Sequence, residues 1–304
     1  MSNNVGNRSI NYGWHYSHNI RNRRIMNYFG KIKSYIYYRP VVFIGKLISM
    51  IINLMPIHFS ASVKENIKIS IKMPMSYDIR VVVDRLRDIK RAKFCYKEKS
   101  TVFWIEKYYQ KGDVIFDIGA NIGAVSLISA SYLQKQCKIY AFEPLPTTFS
   151  MLFQNIMTNS LSHVITPINI ALSDKVKVDD FILSSIDAGT SGHSIKGGTS
   201  KEEENDVVSA SKLRVLTSTI DQLKKDYCIN DINHLKIDVD GCDYEVLLGG
   251  ESVLSNSSLK TILVERNDKE NNIVDLLNKY GFKQVEIAPF YDAGTRENMG
   301  FVRF

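Results

Sequence analysis

The sequence predicts an α/β fold, a mostly parallel sheet with helices on both faces, from three observations. From residue 112 onward, short apolar runs alternate with segments of helical period, the pattern of strands joined by crossover helices. The first of these runs, Val114–Asp117, passes into a small-residue turn, Gly119–Ala120–Asn121–Ile122–Gly123, that opens a helix. Such a turn at the carboxyl end of a first strand is the ligand edge of a Rossmann-like sheet. Third, charge separates this domain from what precedes it. There is no Asp or Glu before Glu65, yet nine Lys and Arg lie there, so of the net +7 the remainder of the chain carries −2. A slightly acidic domain offers no basic groove for nucleic acid.

The N-terminal part, residues 1–80, reads as a basic, aromatic-rich, helical appendage, and 81–304 as the catalytic domain. Val41–Ile57 is expected to form an amphipathic helix, with Lys46, Ser49 and Asn53 on one narrow polar stripe. It is shorter than the roughly 20 residues a spanning helix needs, and a cleaved signal peptide would have a much shorter leader. Helices are expected near Val81–Arg91 and over Ser100–Gln110, the latter capped by Ser100.

The alternating pattern then gives strand Val114–Asp117, helix Ile122–Leu133, strand Lys138–Phe142, helix Thr147–Met157 and strand Val164–Ile168. Val176–Leu183 and Lys212–Thr217 read as a strand pair around a Gly- and Ser-rich loop, residues 188–206, either a disordered excursion or a mobile flap. Strand Leu235–Val239, a helix over Tyr244–Leu248, strand Thr261–Glu265 and helix Asn271–Tyr280 follow, with Gly281 as its C-terminal cap. Phe282–Ile287 and Met299–Phe304 close the sheet. The four cysteines form no C-x-x-C pair and the six histidines do not cluster, so neither zinc nor a disulfide framework is expected. A reducing, cytoplasmic setting is the default.

The turn itself discriminates between nucleotide ligands. A dinucleotide fingerprint is G-x-G-x-x-G, but Asn121 and Ala124 stand where its second and third glycines would be. What stands instead is D-x-G-x-N-x-G, from Asp117 to Gly123, with an acid in the strand end. That acid suits a ligand bearing an ammonium, such as S-adenosylmethionine, and would repel a pyrophosphate. The second strand ends in Phe142–Glu143–Pro144, where a carboxylate can accept both hydroxyls of an adenosine ribose. Asp117, Gly119, Asn121, Gly123, Glu143 and Pro144 are therefore the candidate cofactor residues.

Three motifs carry a resemblance. D-I-G-A-N-I-G (Asp117–Gly123), F-E-P-L-P (Phe142–Pro146) and L-K-I-D-V-D-G-C-D-Y-E-V-L (Leu235–Leu247) resemble the FkbM-type S-adenosylmethionine-dependent methyltransferases, and I-L-V-E-R-N (Ile262–Asn267) and N-M-G-F-V-R (Asn298–Arg303) fit the same pattern. The similarity runs from about Tyr109 to the last residue. It implies a class I methyltransferase fold, a seven-stranded sheet with a reversed last hairpin, and methyl transfer to oxygen, often on sugars or polyketides. Family members often carry Glu where this chain has Asp240.

In the fourth strand, period two puts Lys236, Asp238 and Asp240 on one side. Charged residues inside a central parallel strand are costly unless paired, so Lys236 reads as a structural ion pair with Asp117. Asp238, nearer the ligand edge, is the leading site carboxylate, cofactor-proximal or acceptor-proximal. Glu265 ends the next strand at the same edge. Asp238, Glu265 and Asp240 are the candidate catalytic carboxylates, since removing a hydroxyl proton needs a base. Two or three of them could alternatively hold Mg²⁺, a reading ranked below base catalysis. His193, in the 188–206 loop, is a further base candidate, although a lone loop histidine is more often merely solvated. Asn155 reads as a surface or packing residue.

The expected activity is O-methylation of a hydroxyl on a glycan or glycolipid intermediate, with a saccharide acceptor, no nucleic acid partner, and peripheral contact of the appendage with an anionic cytoplasmic membrane face. The alternatives are a non-catalytic, membrane-associated scaffold that retains the cofactor fold and, ranked lower, a nicotinamide-dependent dehydrogenase.

Overall fold

A computed structural model describes residues 41–67, 69–74, 77–84, 88–91, 93, 98–183, 194–195, 211–267, 269–287 and 298–304. The chain divides into two units, Met1–Ile67 and Lys68–Phe304. In the first, helix α1 covers residues 41–54 and helix α2 covers Ile57–Asn66. The expected single helix thus stops short of Pro56, which caps α2 and whose fixed φ favours a helix start over a helix interior. Among the described residues no helix is long and apolar enough to cross a membrane.

The second unit opens with an antiparallel hairpin, β1 (Ser70–Lys72) and β2 (Arg80–Val82), where a helix from Val81 was expected. Among the described residues of that stretch, Asp88–Arg91, α3, form the helical part. The β-branched Val81–Val83 run favours a strand, and two asparagines supply the edge partners that make it one. Val82 N–H donates to Asn155 Oδ1 (2.7 Å) and Arg80 N–H to Asn159 Oδ1 (2.8 Å). These asparagines stand one turn apart, Asn155 in the helix Pro146–Thr158 and Asn159 at its C-terminal cap, so together they imitate a neighbouring strand. Helix α4 (Lys99–Tyr108) follows, with Ser100 inside its first turn and Glu98 at the cap position, making no side-chain cap bond.

The remaining elements are β3 (Val114–Ile118), α5 (Ala124–Tyr132), β4 (Lys138–Phe142), α6 (Pro146–Thr158), β5 (Ile165–Ile168), β6 (Ala171–Leu172), β7 (Lys177–Leu183), β8 (Ser194–Ile195), β9 (Ser211–Ser218) and α7 (Ile220–Asp226). Then come β10 (His234–Ile237), α8 (Asp243–Leu248), α9 (Glu251–Ser255), β11 (Thr261–Glu265), α10 (Glu270–Lys279), β12 (Lys283–Val285) and β13 (Asn298–Val302). The main sheet has the order β12-β13-β11-β10-β3-β4-β5. Six strands run in one direction, five of them paired side by side, and β13 alone is reversed, lying antiparallel between β11 and β12 as the expected reversed hairpin. This is the class I methyltransferase architecture anticipated from the sequence.

Alternation along the strands feeds two cores. Ile115, Ile139 and Leu263 face one side with Trp104, Leu127, Leu152 and Ile156 of α4, α5 and α6. Phe116, Phe142, Leu235 and Ile262 face the other, with Leu223, Val246, Leu254 and Leu277 of α7 to α10. Gly300 of β13 admits the Trp104 ring, because a Cβ there would come within 2.3 Å of it. Helix α10 ends in the predicted glycine: Gly281, at φ +82°, and Phe282 send their amides back to Asn278 and Leu277.

The strand pair β7/β9 forms as expected, with Val178 opposite Leu216, but it belongs to a separate four-stranded sheet, β6-β9-β7-β8. Most of the 188–206 loop, including His193, lies outside the described residues.

Candidate active site

The site is built where β3 and β10, the two central strands, end together. Gly119 follows β3 at φ +77°, and its amide and that of Ala120 both donate to Phe142 O (3.0 and 2.9 Å), folding the turn across the end of β4. A Cβ on Gly119 would lie 1.9 Å from the Asp238 carbonyl oxygen. Only glycine allows that approach, which seats the turn against the segment carrying Asp238. Asn121 (φ 52°) and Gly123 (φ +90°, the cap of α5) complete the turn in left-handed conformations.

Lys236 organises the charges. Its Nζ donates to Gly119 O (3.1 Å) and lies 3.4 Å from both Asp117 Oδ1 and Asp238 Oδ2. Burial works against its charge, but Asp238 and then Asp117 hold the ammonium above the ordinary lysine value. Asp117 has no exposed surface, and its Oδ2 accepts the Ser126 hydroxyl (2.6 Å). Its charge is spent inside the fold, on Lys236 and on the first turns of α5, rather than on a ligand's ammonium directly. Asp238, by contrast, keeps 40% of its side chain exposed. It lies just past the end of β10, with its amide still bonded to Ile118 O (3.1 Å).

Glu143 sits at the end of β4 under the turn. Its Oε2 accepts the Asn121 amide (3.0 Å) and its Oε1 the Leu145 amide (2.9 Å). Burial pushes the carboxyl up to about 7, against the pull of those amides and of Lys236. Each oxygen retains a lone pair, so the group can still accept ligand hydroxyls. Pro144, next in sequence, lines an apolar hollow with Gly119, Leu172, Phe181, Val239 and Cys242, between the end of the main sheet and the second sheet.

Asp240 (φ 50°) and Gly241 (φ +97°) form the turn between β10 and α8. The register pairs Ile237 with Val264, so Asp238 and Glu265 follow at one level on neighbouring strands, Glu265 opposite Asn298. The structure thus gathers Asp117, Gly119, Asn121 and Glu143 with Asp238 around Lys236, and sets Glu265 one strand away. Among the described residues no three His, Cys, Asp or Glu side chains converge as metal ligands.

Two residues escaped sequence reasoning. Asp243 is wholly buried; its Oδ1 accepts the Val239 amide (3.3 Å) and its Oδ2 the Asn267 side-chain amide (2.7 Å). It closes the turn behind Asp238 and fastens it to the end of β11. Burial, and Asp238 beside it, push its carboxyl up to about 6. The signal was a second acid three residues beyond Asp240, at a helix start. Asn155, expected at the surface or in packing, is fully buried and donates to Ile122 O (2.8 Å) while accepting from Val82. It ties the glycine turn to the β1/β2 hairpin.

A left-handed glycine turn, a carboxylate beneath it and a half-exposed acid beside it fit a nucleoside bearing a cationic group. Comparison with known proteins agrees. A family model described as "Methyltransferase FkbM domain" matches residues 117–283, more than half of the 304-residue chain. The hexuronic acid methyltransferase AglP of Haloferax volcanii is 24% identical over 215 residues, covering 69% of this chain and 82% of that protein. Among solved structures, the methyltransferase FkbM of Methylobacillus flagellatus is similar at a TM-score of 0.42 and 12% identity, over 66% of this chain. The match spans 47% of that longer chain. M. jannaschii TYW2, solved in complex with AdoMet, is similar at a TM-score of 0.42 and 14% identity, over 78% of this chain and 87% of that one.

Proposed function

Because the chain belongs to the FkbM family of S-adenosylmethionine-dependent methyltransferases, we propose that it methylates a hydroxyl of a glycan or glycolipid intermediate in the cytoplasm, at the membrane face. The observation that carries this reading is Asp238, a half-exposed carboxylate clamped by Lys236 against the glycine turn. A hydroxyl is a poor nucleophile until its proton is removed, and a positioned carboxylate can take it. The saccharide class is supported by the relative that acts on hexuronic acid.

When bound, S-adenosylmethionine supplies an electrophilic methyl group on a sulfonium. The cradle fits it: Gly119 leaves no room for a Cβ, and Glu143 offers lone pairs to the ribose hydroxyls. Asn121 and Gly123 complete the left-handed turn above Glu143, and Pro144 lines the hollow beside it. Asp238 would accept the acceptor's hydroxyl proton, leaving that oxygen able to take the methyl group that the cofactor would supply. Lys236 keeps the Asp238 carboxylate in place, and Asp240 and Glu265 flank the acceptor side.

The test is methyl transfer from labelled S-adenosylmethionine to uronic acid and hexose acceptors, free and lipid-linked, with glycan mass spectrometry of cells with and without the protein. Label in an ether-linked methyl on a saccharide, absent with Asp238→Asn, is the expected result. Transfer to nitrogen, to protein or to nucleic acid alone overturns it.

A further inference from the structure

Taken by itself, the first unit leaves large apolar side chains in solvent. Phe43 is 68% exposed, Leu54 79% and Ile57 76%, and Leu47, Ile48 and Ile51 are exposed between them. Among the described residues of this unit the two helices have no further layer in which to bury such a run, and an exposed apolar patch of this extent marks a surface that something covers. Lys46, Ser49 and Asn53 fall three and four residues apart, on one stripe of α1, so the apolar face is far wider than the polar one. The 14 described residues of α1 span about 21 Å, short of the roughly 30 Å hydrocarbon core. The helix can lie in a bilayer surface but not cross it.

Helix α2 prolongs the same surface. The Ser60 hydroxyl donates to Ile52 O (2.6 Å) across the break at Pro56, whose carbonyl accepts the Phe59 amide (2.9 Å). The Ser60 bond ties α2 to the last turn of α1, so Ile57 and Phe59 continue the apolar run. Charge then selects the occupant. Nine Lys and Arg and no acid precede Glu65. A second copy of the chain would bring the same positive charge to the contact and be repelled, whereas an anionic headgroup layer attracts it.

We infer that α1 and α2 dock the enzyme in the plane of an anionic phospholipid surface. Leu47, Ile51 and Leu54 enter the acyl boundary and Lys46 stays at headgroup level. The full chain is tested by flotation with vesicles of mixed phosphatidylglycerol and phosphatidylcholine, and of phosphatidylcholine alone. It should partition to the anionic vesicles at least about tenfold better, and high salt should reduce this. Ile51→Glu with Leu54→Glu should cut partition by about tenfold or more while leaving S-adenosylmethionine affinity unchanged, which shows the catalytic unit intact. Failure to float, equal flotation on both vesicles, or unchanged flotation of the double variant each overturns the inference. So does a stable dimer, seen by light scattering without vesicles, that the double variant dissociates.

Discussion

The two ends of the central strands β3 and β10 carry the same ingredients to different effect. At the amino end, buried Asp113 accepts from the Gln110 amide (2.6 Å), meets His234 Nε2 at 2.7 Å and Lys260 Nζ at 2.6 Å. His234 is closed off in turn by Thr261 Oγ1 (2.8 Å) and the stacked Tyr109 ring. Burial works against the Asp113 charge, but His234 and Lys260 hold its carboxyl below the usual range. Burial also depresses the His234 imidazole, despite Asp113. At the carboxyl end a single Lys236 serves Asp117 and Asp238, while the Glu143 and Asp243 carboxyls are driven upward. One end is charge-balanced around a buried acid; the other holds more acid than cation and leaves one of its acids, Asp238, 40% exposed. Surplus, not mere burial, separates the reactive edge from the structural one.

Substitutions can break that distinction. Asp238→Asn is expected to lower kcat by about 10²–10⁴, the range for a lost general base, with little change in the melting curve. Glu143→Ala should weaken S-adenosylmethionine binding by the roughly 1.5–3 kcal/mol of a charge-assisted hydrogen bond, measured by calorimetry. Unchanged affinity would remove Glu143 from the cofactor site. Asp113→Ala should cost about 1–3 kcal/mol in urea unfolding, because Lys260 can turn to solvent and His234 is held neutral, yet leave kcat untouched. A turnover loss matching that of Asp238→Asn would erase the contrast between the ends.

The smallest effect is on pH dependence, and its sign differs between the ends. The raised carboxyls at the site make the folded state hold protons that the unfolded chain has released. Glu143 and Asp243 should therefore lower stability as pH rises from about 4 toward 7. Asp113 has the opposite sign: its stabilisation is present above the unfolded carboxyl value and lost as pH falls through its lowered folded value. Ribose hydroxyls donate to an ionised carboxylate, so cofactor affinity should rise as pH passes through about 7. Glu143→Gln should flatten that rise in a calorimetric pH series.

Much of the main sheet was legible, because strands buried on both faces read as continuous apolar runs and glycines mark the turn. The hairpin was not. Arg80–Val82 is three residues long, and what makes it a strand is a pair of asparagines on a distant helix, outside any local window. The second sheet was half legible: β7 and β9 alternate visibly, but their tie to β6 is parallel and non-local. Within the site, types and spacing pointed to Asp238 and Glu143. Period two anticipated the Lys236–Asp117 pair, but spacing could not show that Asp117 also turns inward to Ser126, nor that Asp243 braces the turn behind Asp238. Those roles depend on who stands opposite, which only the register of β3 against β10 decides.

The Asn155 clasp has a consequence for how the chain is made. Its bond to the Val82 amide joins positions 73 residues apart. At ribosomal speeds of 5–20 residues per second, Val82 waits about 4–15 s before its partner is even synthesised. Until then the hairpin edge has no acceptor and the Ile122 carbonyl no donor from Asn155. Nascent chains are therefore exposed at that edge for seconds, and premature pairing with another chain is the hazard of this interval.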